Sequence, residues 1–146
     1  MKLQRSIEIK ATPEKIWPFL VEPENIMKWC SPINTIRYTG LQHGGLQTTF
    51  YFEEKAVGQI MKLYFIVTEW VPNRSVAFKM TSGNLVKSYD QRYTIETIPL
   101  GSCVTCFEEV TLPFGFIGRF VGLMRRFTSN RLLKEMLLNL KHVVEI

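Results

Sequence analysis

The sequence is poor in the residues that build disulfide frameworks, metal sites and covalent-catalysis sites. Its 146 residues include only three cysteines and two histidines. Three cysteines do not form a disulfide framework. Cys103 and Cys106 have C-x-x-C spacing, but they fall in a predicted strand, where an odd separation places them on opposite faces. We therefore predict neither a shared metal nor a redox role for this pair.

Motifs for cofactors and nucleic acids are missing as well. We find no phosphate-binding loop, nucleotide fingerprint or nucleophile motif. His43 lies in a glycine turn and His142 on the polar side of the last helix, and neither has a cysteine or acid at metal-ligand spacing. The net charge of +5 is modest and comes without an RNA- or DNA-binding signature. We predict no metal, no cofactor and no nucleic-acid partner.

Long apolar runs are also absent. The sequence contains no stretch of about 18 consecutive apolar residues, so we predict no transmembrane segment. The opening residues MKLQR are too polar for a signal peptide. Together with the unpaired cysteines, these features predict a cytoplasmic protein in a reducing compartment.

What the sequence does contain is a large apolar fraction. Hydrophobic residues make up 46% of the chain and aromatic residues 12%, including ten phenylalanines. A chain of this length buries roughly 68–70% of the surface that its unfolded form exposes, which is enough for a real core. We predict one domain that spans residues 1–146.

The order of predicted elements is one strand, two short helices, six strands and one long helix. Residues 3–10 alternate as a strand, and Thr12-Pro13-Glu14 then supplies an N-cap, a first-turn proline and a first-turn acid. Pro23-Glu24-Asn25 begins a second short helix. Alternating segments with short turns predict an antiparallel meander over residues 33–39, 46–53, 59–70, 75–81 and a hairpin over 87–112. From residue 113 onward the periodicity is helical.

The hairpin over residues 87–112 contains one acidic residue where an apolar one is expected. Strand side chains alternate between faces, so Glu108 shares a face with Val104, Cys106, Val110 and Leu112. A buried carboxylate is costly unless it has a partner or is protonated. Glu108 is therefore either a polar anchor inside an apolar cavity or a carboxylate at its rim that reaches water.

The turn at residues 98–101 fixes the register of this hairpin. The predicted antiparallel pairs are Thr97 with Ser102, Tyr93 with Cys106, Gln91 with Glu108 and Tyr89 with Val110. In this register the apolar faces of both strands coincide, as a hairpin with one buried side requires. Gln91 becomes the candidate partner of Glu108.

This order of elements implies a cavity. Seven strands span about 29 Å, whereas one helix is about 10–12 Å wide. One helix cannot cover such a sheet, so the sheet must curl and enclose space that side chains need not fill. The inward-facing candidates for ligand contact are Phe50, Phe52, Met61, Phe65, Phe78, Met80, Tyr89, Gln91, Tyr93, Glu108, Phe120 and Met124.

Four motifs resemble one known superfamily. They are SIEIKATPEKIW at residues 6–17, EPEN at 22–25 followed by Trp29, VTEWVPNR at 67–74 and LNLK at 138–141. The sequence resembles the START-like, Bet v 1-like (SRPBCC) superfamily, which includes polyketide cyclases/dehydrases and lipid-transport proteins. The resemblance implies an α+β helix-grip fold, in which a curved seven-stranded antiparallel sheet wraps round a long C-terminal helix. It also implies an apolar ligand cavity under that helix, but it carries over no catalytic residues.

The last helix changes its apolar face midway. Phe116, Phe120, Leu123, Met124 and Phe127 share one face, whereas Leu133, Met136, Leu137, Leu140 and Val144 lie nearly opposite. Either the helix breaks or kinks near residues 128–130, or it is straight and its first half offers an apolar surface to a ligand, partner or membrane. Glycines at positions 115, 118 and 122 weaken that half, which favours a mobile segment that gates the cavity.

Three functions follow from these patterns. The first is binding or transport of a hydrophobic or lipid-like small molecule. The second is a cyclase or dehydratase in which Glu108 acts as acid and base, with Tyr93 as a further catalytic candidate. The third is membrane-surface docking through Arg119, Arg125 and Arg126, which otherwise form a solvated helix face. Association into a homodimer is left open.

Overall fold

The described residues form a curled antiparallel sheet that is packed against three helices. The computed structural model describes residues 2–31, 33–56, 59–112 and 116–146, without the side chains of residues 56 and 116–129. The strands are β1 (Lys2–Ile9), β2 (Ile33–Tyr38), β3 (Thr49–Ala56), β4 (Gln59–Val71), β5 (Ser75–Gly83), β6 (Ser88–Ile98) and β7 (Gly101–Thr111). The helices are α1 (Pro13–Val21), α2 (Pro23–Trp29) and α3 (Phe116–Glu145).

The seven strands follow the order β1-β7-β6-β5-β4-β3-β2, and every neighbouring pair is antiparallel. Strands β2 to β7 form the meander, and β1 pairs with β7 at its end, so the first and last strands are neighbours. The two short helices lie between β1 and β2, and α3 follows β7. This arrangement confirms the helix-grip fold that the sequence predicted.

Both short helices begin at the prolines where the sequence predicted their first turns, Pro13 and Pro23. The Thr12 hydroxyl accepts a hydrogen bond from the Lys15 backbone N–H at 3.3 Å, and Pro13 occupies the first turn of α1. Pro18 lies inside α1, which ends after nine residues, as expected of a helix with an internal proline. Ile16, Trp17 and Leu20 are the buried residues of α1, and they anchor it to the core.

The β6–β7 hairpin has the predicted register. Gln91 pairs with Glu108, Tyr93 with Cys106, Tyr89 with Val110 and Thr97 with Ser102. On β7 the side chains of Val104, Cys106, Glu108 and Val110 are all buried. The turn residues and the alternating pattern thus agree, which is what fixes a register.

The predicted strand at residues 46–53 begins too early. β3 starts at Thr49, and the Leu46 side chain is 55% exposed. Gln47 has a positive φ of 68°, and Gly45 has one of 85°, so the backbone there is left-handed rather than extended. The Gln42 side-chain amide also donates to the carbonyls of Gly44 and Leu46, at 2.8 and 2.7 Å, and these bonds hold a compact loop.

Of the two alternatives that the sequence left open for the last helix, a break near residues 128–130 is not what the structure has, because α3 is one helix of 30 residues. Thr128, Ser129 and Asn130 have only moderately unfavourable helix propensities, and no proline interrupts the segment. The apolar face expected from Phe116 to Phe127, and the arginines at 119, 125 and 126, lie outside the described side chains. Within the described residues, no helix is long and apolar enough to cross a membrane.

The C-terminal half of α3 is fixed to the core and to β1. Its residues Leu133, Leu137, Leu140 and Val144 are each at most 2% exposed. Near the end of the helix, the Glu145 carboxylate accepts hydrogen bonds from the Lys10 backbone N–H at 2.9 Å and from Lys141 Nζ at 2.6 Å. The bond from Lys10, followed by that from Lys141, lowers the pKa of Glu145 below its ordinary value of 4.5. The helix thus has a firmly attached half that can serve as one wall of a site.

Candidate ligand pocket

A pocket lies between the inner face of the sheet and the three helices. Its volume is about 70 Å³, several times the roughly 10–15 Å³ that one water needs. Among the described residues, α1 and α2 contribute Leu20, Val21, Pro23, Ile26 and Trp29, and α3 contributes Leu132, Leu133 and Met136. The remaining lining comes from the strands, from Cys30 and from the loop residues Gly44 and Thr48.

Aromatic side chains of β3 and β5 form the apolar wall of the sheet. The ring of Phe50 lies 5.3 Å from that of Phe78 in a T-shaped contact, and 6.2 Å from the ring of Phe52 in a stacked one. All three rings line the pocket. Phe65 stacks on Phe52 at 4.7 Å and on Phe50 at 5.5 Å, and it is only 1% exposed. Phe65 therefore supports this wall without lining the pocket.

Seven of the twelve predicted contact residues line the pocket: Phe50, Phe52, Phe78, Tyr89, Gln91, Tyr93 and Glu108. Met61 and Phe65 face inward as predicted, but neighbouring side chains cover them completely, so they belong to the core. Met80 is partly buried against that core and does not line the pocket. Phe120 and Met124 lie outside the described side chains.

The polar groups of the β6–β7 hairpin are concentrated on the pocket wall. Glu108 is 9% exposed, and its carboxylate accepts a hydrogen bond from the Tyr89 hydroxyl. Gln91, which was predicted as the partner of Glu108, instead donates from Nε2 to the Tyr93 hydroxyl oxygen at 3.1 Å. The residue directly opposite Glu108 is therefore not its hydrogen-bond donor. Tyr89, two residues earlier on the same face of β6, takes that role.

Burial determines the protonation of Cys30 and Tyr93, which line the pocket, and of Cys106, which does not. It is the largest cause that raises the pKa values of Cys30, Cys106 and Tyr93 well above their ordinary values. The negative charge of Glu108 raises all three further, and Glu54 adds to the effect on Cys30. The two thiols therefore stay protonated and are poor nucleophiles. Tyr93 likewise keeps its proton, so it is suited to donate a hydrogen bond rather than to accept a proton.

The chain matches one family model over nearly its whole length. The model describes the polyketide cyclase / dehydrase and lipid transport family, and it matches residues 1–145. The chain belongs to this family. A search of curated proteins finds no match.

Solved structures share the fold of this family member at low sequence identity. A START superfamily protein from Mycobacterium smegmatis has 15% identity and a TM-score of 0.78, with 99% of this chain and 97% of that one covered. The Zhui aromatase/cyclase from Streptomyces sp. R1128 has 11% identity and a TM-score of 0.84, with 99% and 93% covered. The Aha1 dimer from Colwellia psychrerythraea has 23% identity and a TM-score of 0.71, with 100% and 97% covered.

Glu54 and Cys30 are among the pocket residues of this family member that the sequence reasoning missed. Glu54 is 9% exposed and lines the pocket from β3, where it continues the inner face of Phe50 and Phe52. The period-two pattern would have included Glu54 if the predicted strand had not ended at residue 53. Cys30, which caps α2, is 6% exposed and places its Sγ 3.8 Å from the Met136 Sδ. A cysteine just after a helix carries no sequence signal of such a contact.

The two cysteines with C-x-x-C spacing, and Glu69, lie outside the pocket lining. Cys106 is fully buried, whereas Cys103 is half-buried on the other face of β7, as the odd spacing predicted. All three cysteines are free, and the described residues hold no group of three or more side chains suited to a metal ion. Glu69 on β4 forms an ion pair with Arg92 at 2.7 Å. That contact lowers the pKa of Glu69 and keeps the carboxylate ionised.

Proposed function

We propose that the protein binds or carries a hydrophobic or lipid-like small molecule in this pocket. The supporting observation is its lining, which combines aliphatic and aromatic walls with a few polar groups, among them Tyr89, Gln91, Glu54 and Glu108. Binding sites for small apolar ligands typically have this composition. The family to which the chain belongs includes lipid transport in its description, which agrees with the proposal.

Native mass spectrometry and lipid extraction of the purified protein test this proposal directly. We expect a co-purified apolar molecule that is lost when the pocket is filled. Val76 lines the pocket and is 2% exposed, so Val76→Phe should abolish most of the retained ligand. Val71→Phe is the matched control, because Val71 is 42% exposed and lies outside the pocket lining. Absence of ligand from the wild type, or equal retention by both variants, would argue against the proposal.

The enzyme alternative rests on the hydrogen bond between Tyr89 and Glu108. A carboxylate and a phenol that meet on the wall of an apolar pocket can exchange protons with a bound carbonyl compound, as enolisation, cyclisation or dehydration requires. The Zhui neighbour is named an aromatase/cyclase, and at 11% identity it shares only the fold with this chain.

Glu108→Gln separates the carrier from the enzyme. The substitution keeps the size of the side chain and removes its ability to act as a general base. A carrier should retain its ligand with a modest change in affinity. An enzyme should lose turnover by about 10²–10⁴-fold, the usual contribution of a general acid or base. Assays of polyketide-like substrates with wild type and variant distinguish the two, and turnover that survives the change removes Glu108 from the catalytic role.

The proposal also covers the cellular location of the protein, its contact with membranes and its association with a second copy. We infer a cytoplasmic location from the three free cysteines, which suit a reducing compartment. Contact with an anionic membrane through Arg119, Arg125 and Arg126 is tested by vesicle co-sedimentation at low and high salt. Homodimer formation is tested by size-exclusion chromatography with light scattering.

A further inference from the structure

We propose that the protein docks on an anionic membrane surface through one end of its sheet. Five exposed residues form this surface, which we call the basic end: Lys55, Ile60, Lys62, Leu85 and Lys87. None of them lines the pocket. Docking at the basic end therefore goes beyond the proposed function, and it does not depend on which molecule the pocket holds.

The connections that follow β3 and β5 lie at the same end of the sheet, because β3 to β6 are consecutive antiparallel neighbours. Asn84, in the β5–β6 connection, ties this turn to β4. Its backbone N–H donates to the Lys62 carbonyl at 3.2 Å, and its side-chain amide donates to the Ile60 carbonyl at 3.3 Å. Its side-chain oxygen accepts from the Lys62 backbone N–H at 2.6 Å. The turn that carries Leu85 and Lys87 is therefore fixed against the first residues of β4.

Leu85 is presented to solvent by a strained backbone. It has a positive φ of 64°, which bulky residues rarely adopt, and it is 41% exposed. The next two residues anchor the turn, since Val86 is 6% exposed in the core and the Lys87 backbone N–H donates to the Thr111 carbonyl at 2.7 Å. Strain of this kind persists only where the surrounding structure enforces it, and it is concentrated at functional sites. Ile60, which is 45% exposed, adds a second aliphatic side chain to the same end.

The chain segments that build this end contain no acidic residue. Residues 55–68, 70–89 and 110–134 have neither aspartate nor glutamate. These segments include the whole β3–β4 and β5–β6 connections and the first half of α3. Side chains in these segments that the structure does not describe can therefore add no negative charge to the basic end.

The acids of the adjoining strands leave this positive charge uncompensated. Glu53 on the outer face of β3 accepts a hydrogen bond from the Tyr51 hydroxyl at 2.7 Å, and Glu54 is 9% exposed and lines the pocket. Asp90 and Glu109 lie deeper in the sheet, opposite each other on β6 and β7. The ion pairs of the described residues involve no lysine of the basic end. Its three ammonium groups are therefore available to an external anion.

The combination of lysines and exposed aliphatic side chains fits an anionic lipid surface. Lysines are attracted to anionic head groups, while aliphatic side chains enter the apolar region beneath them. A nucleic acid or an acidic polypeptide would meet the same charge, but its phosphates or carboxylates would gain nothing from Ile60 and Leu85. The exposed aliphatic pair therefore favours a membrane over a soluble polyanion.

The basic end also adjoins one end of the pocket. Glu54, which precedes Lys55, and Tyr89, which follows Lys87 by two residues, both line the pocket. Docking here would place a lipid surface beside the pocket wall. This position suits a protein that exchanges an apolar molecule with a membrane.

Co-sedimentation of the wild type with two kinds of vesicle tests the inference. The mixed vesicles contain phosphatidylcholine and phosphatidylglycerol in a ratio of about 2:1, and the reference vesicles contain phosphatidylcholine alone. Binding to the mixed vesicles should be at least about tenfold tighter and should weaken at high salt. Hydrogen exchange of the bound wild type should slow at residues 59–62 and 84–88, and not in the loop at residues 39–48. Equal binding to both kinds of vesicle, or protection confined to another surface, would overturn the inference.

Leu85→Asn removes one aliphatic side chain and should weaken binding to the mixed vesicles about tenfold. Asparagine adopts a left-handed backbone more readily than leucine, so the turn should keep its conformation. Leu41→Asn is the matched control, because Leu41 is fully exposed in the loop at the opposite end of β3. The control should leave binding unchanged.

Lys62→Gln combined with Lys87→Gln should weaken binding about 25-fold, since each lysine near an anionic surface contributes about fivefold. The control combines Lys15→Gln in α1 with Arg74→Gln in the β4–β5 turn, which lies at the opposite end of the sheet. It removes the same charge from exposed positions and should change binding by less than about twofold. Equal losses in the two double variants would mean that net charge alone attracts the protein, which would overturn the assignment.

Two further results would overturn the inference. Vesicle binding that Leu85→Asn leaves unchanged, together with tight binding of oligothymidylate or polyglutamate, would identify a soluble polyanion as the partner. Binding that is lost only when Arg119, Arg125 and Arg126 are replaced by glutamine would place the contact on α3. If a variant does not fold, hydrogen exchange of the wild type on vesicles decides. Ligand retention by native mass spectrometry tests the proposed function separately, so either proposal can fail without the other.

Discussion

Replacing Gly101 by alanine should destabilise the protein by about 3 kcal/mol or more, which is a large effect for one methyl group. Gly101 begins β7 with a φ of 156°, a conformation that side chains rarely adopt. A Cβ atom at this position would lie 2.1 Å from the Ile9 carbonyl oxygen and 3.0 Å from the Lys10 Cα. Both are backbone atoms, so relief of the clash must move the end of β1 away from β7, where Ile9 pairs with Ser102.

Urea unfolding at equilibrium measures this effect, with Gly40→Ala as the control. A Cβ on Gly40 would meet the Thr49 side-chain oxygen at 3.2 Å, and that side chain can rotate away. Its cost should stay below about 1 kcal/mol. Similar losses of stability in the two variants would contradict the close approach of β1 to the β6–β7 turn.

The register of this hairpin could be predicted because two independent signals agree. The turn at residues 98–101 and the alternating pattern of β7 both place Gln91 opposite Glu108, and the structure has that pairing. The Thr12 cap and Pro13 likewise fixed the start of α1, because capping depends on a few adjacent residues. The helix-grip fold followed from such local signals together with the family resemblance.

The parts of the pocket that escaped prediction depend on contacts between distant residues. Alternation places Glu108 inward, but only the packed side chains decide that Tyr89, rather than Gln91, donates to it. Met61 and Phe65 show the same limit, since both point inward and neighbouring side chains separate them from the pocket. At Leu46 the left-handed backbone of Gln47 overrides an apolar pattern that is otherwise typical of a strand.

Leu137→Ala should cost about 2–5 kcal/mol, the usual range for removal of a large buried aliphatic side chain. Leu137 is 2% exposed on the face of α3 that packs into the core, between Leu133 and Leu140. The truncation leaves a cavity beneath the helix, and α3 also supplies Leu132, Leu133 and Met136 to the pocket wall. We therefore expect the variant to lose bound ligand as well as stability, because one wall of the pocket is less firmly held.

Leu138→Ala is the matched control, because the same atoms are removed one residue later on the same helix. Leu138 is 49% exposed, so its loss should cost less than about 1 kcal/mol and leave ligand binding intact. Urea unfolding and native mass spectrometry of both variants give the two comparisons. Equal losses in the pair would mean that α3 packs through a different face. The positions of Leu133 and Met136 on the pocket wall, and with them the pocket itself, would then be wrong.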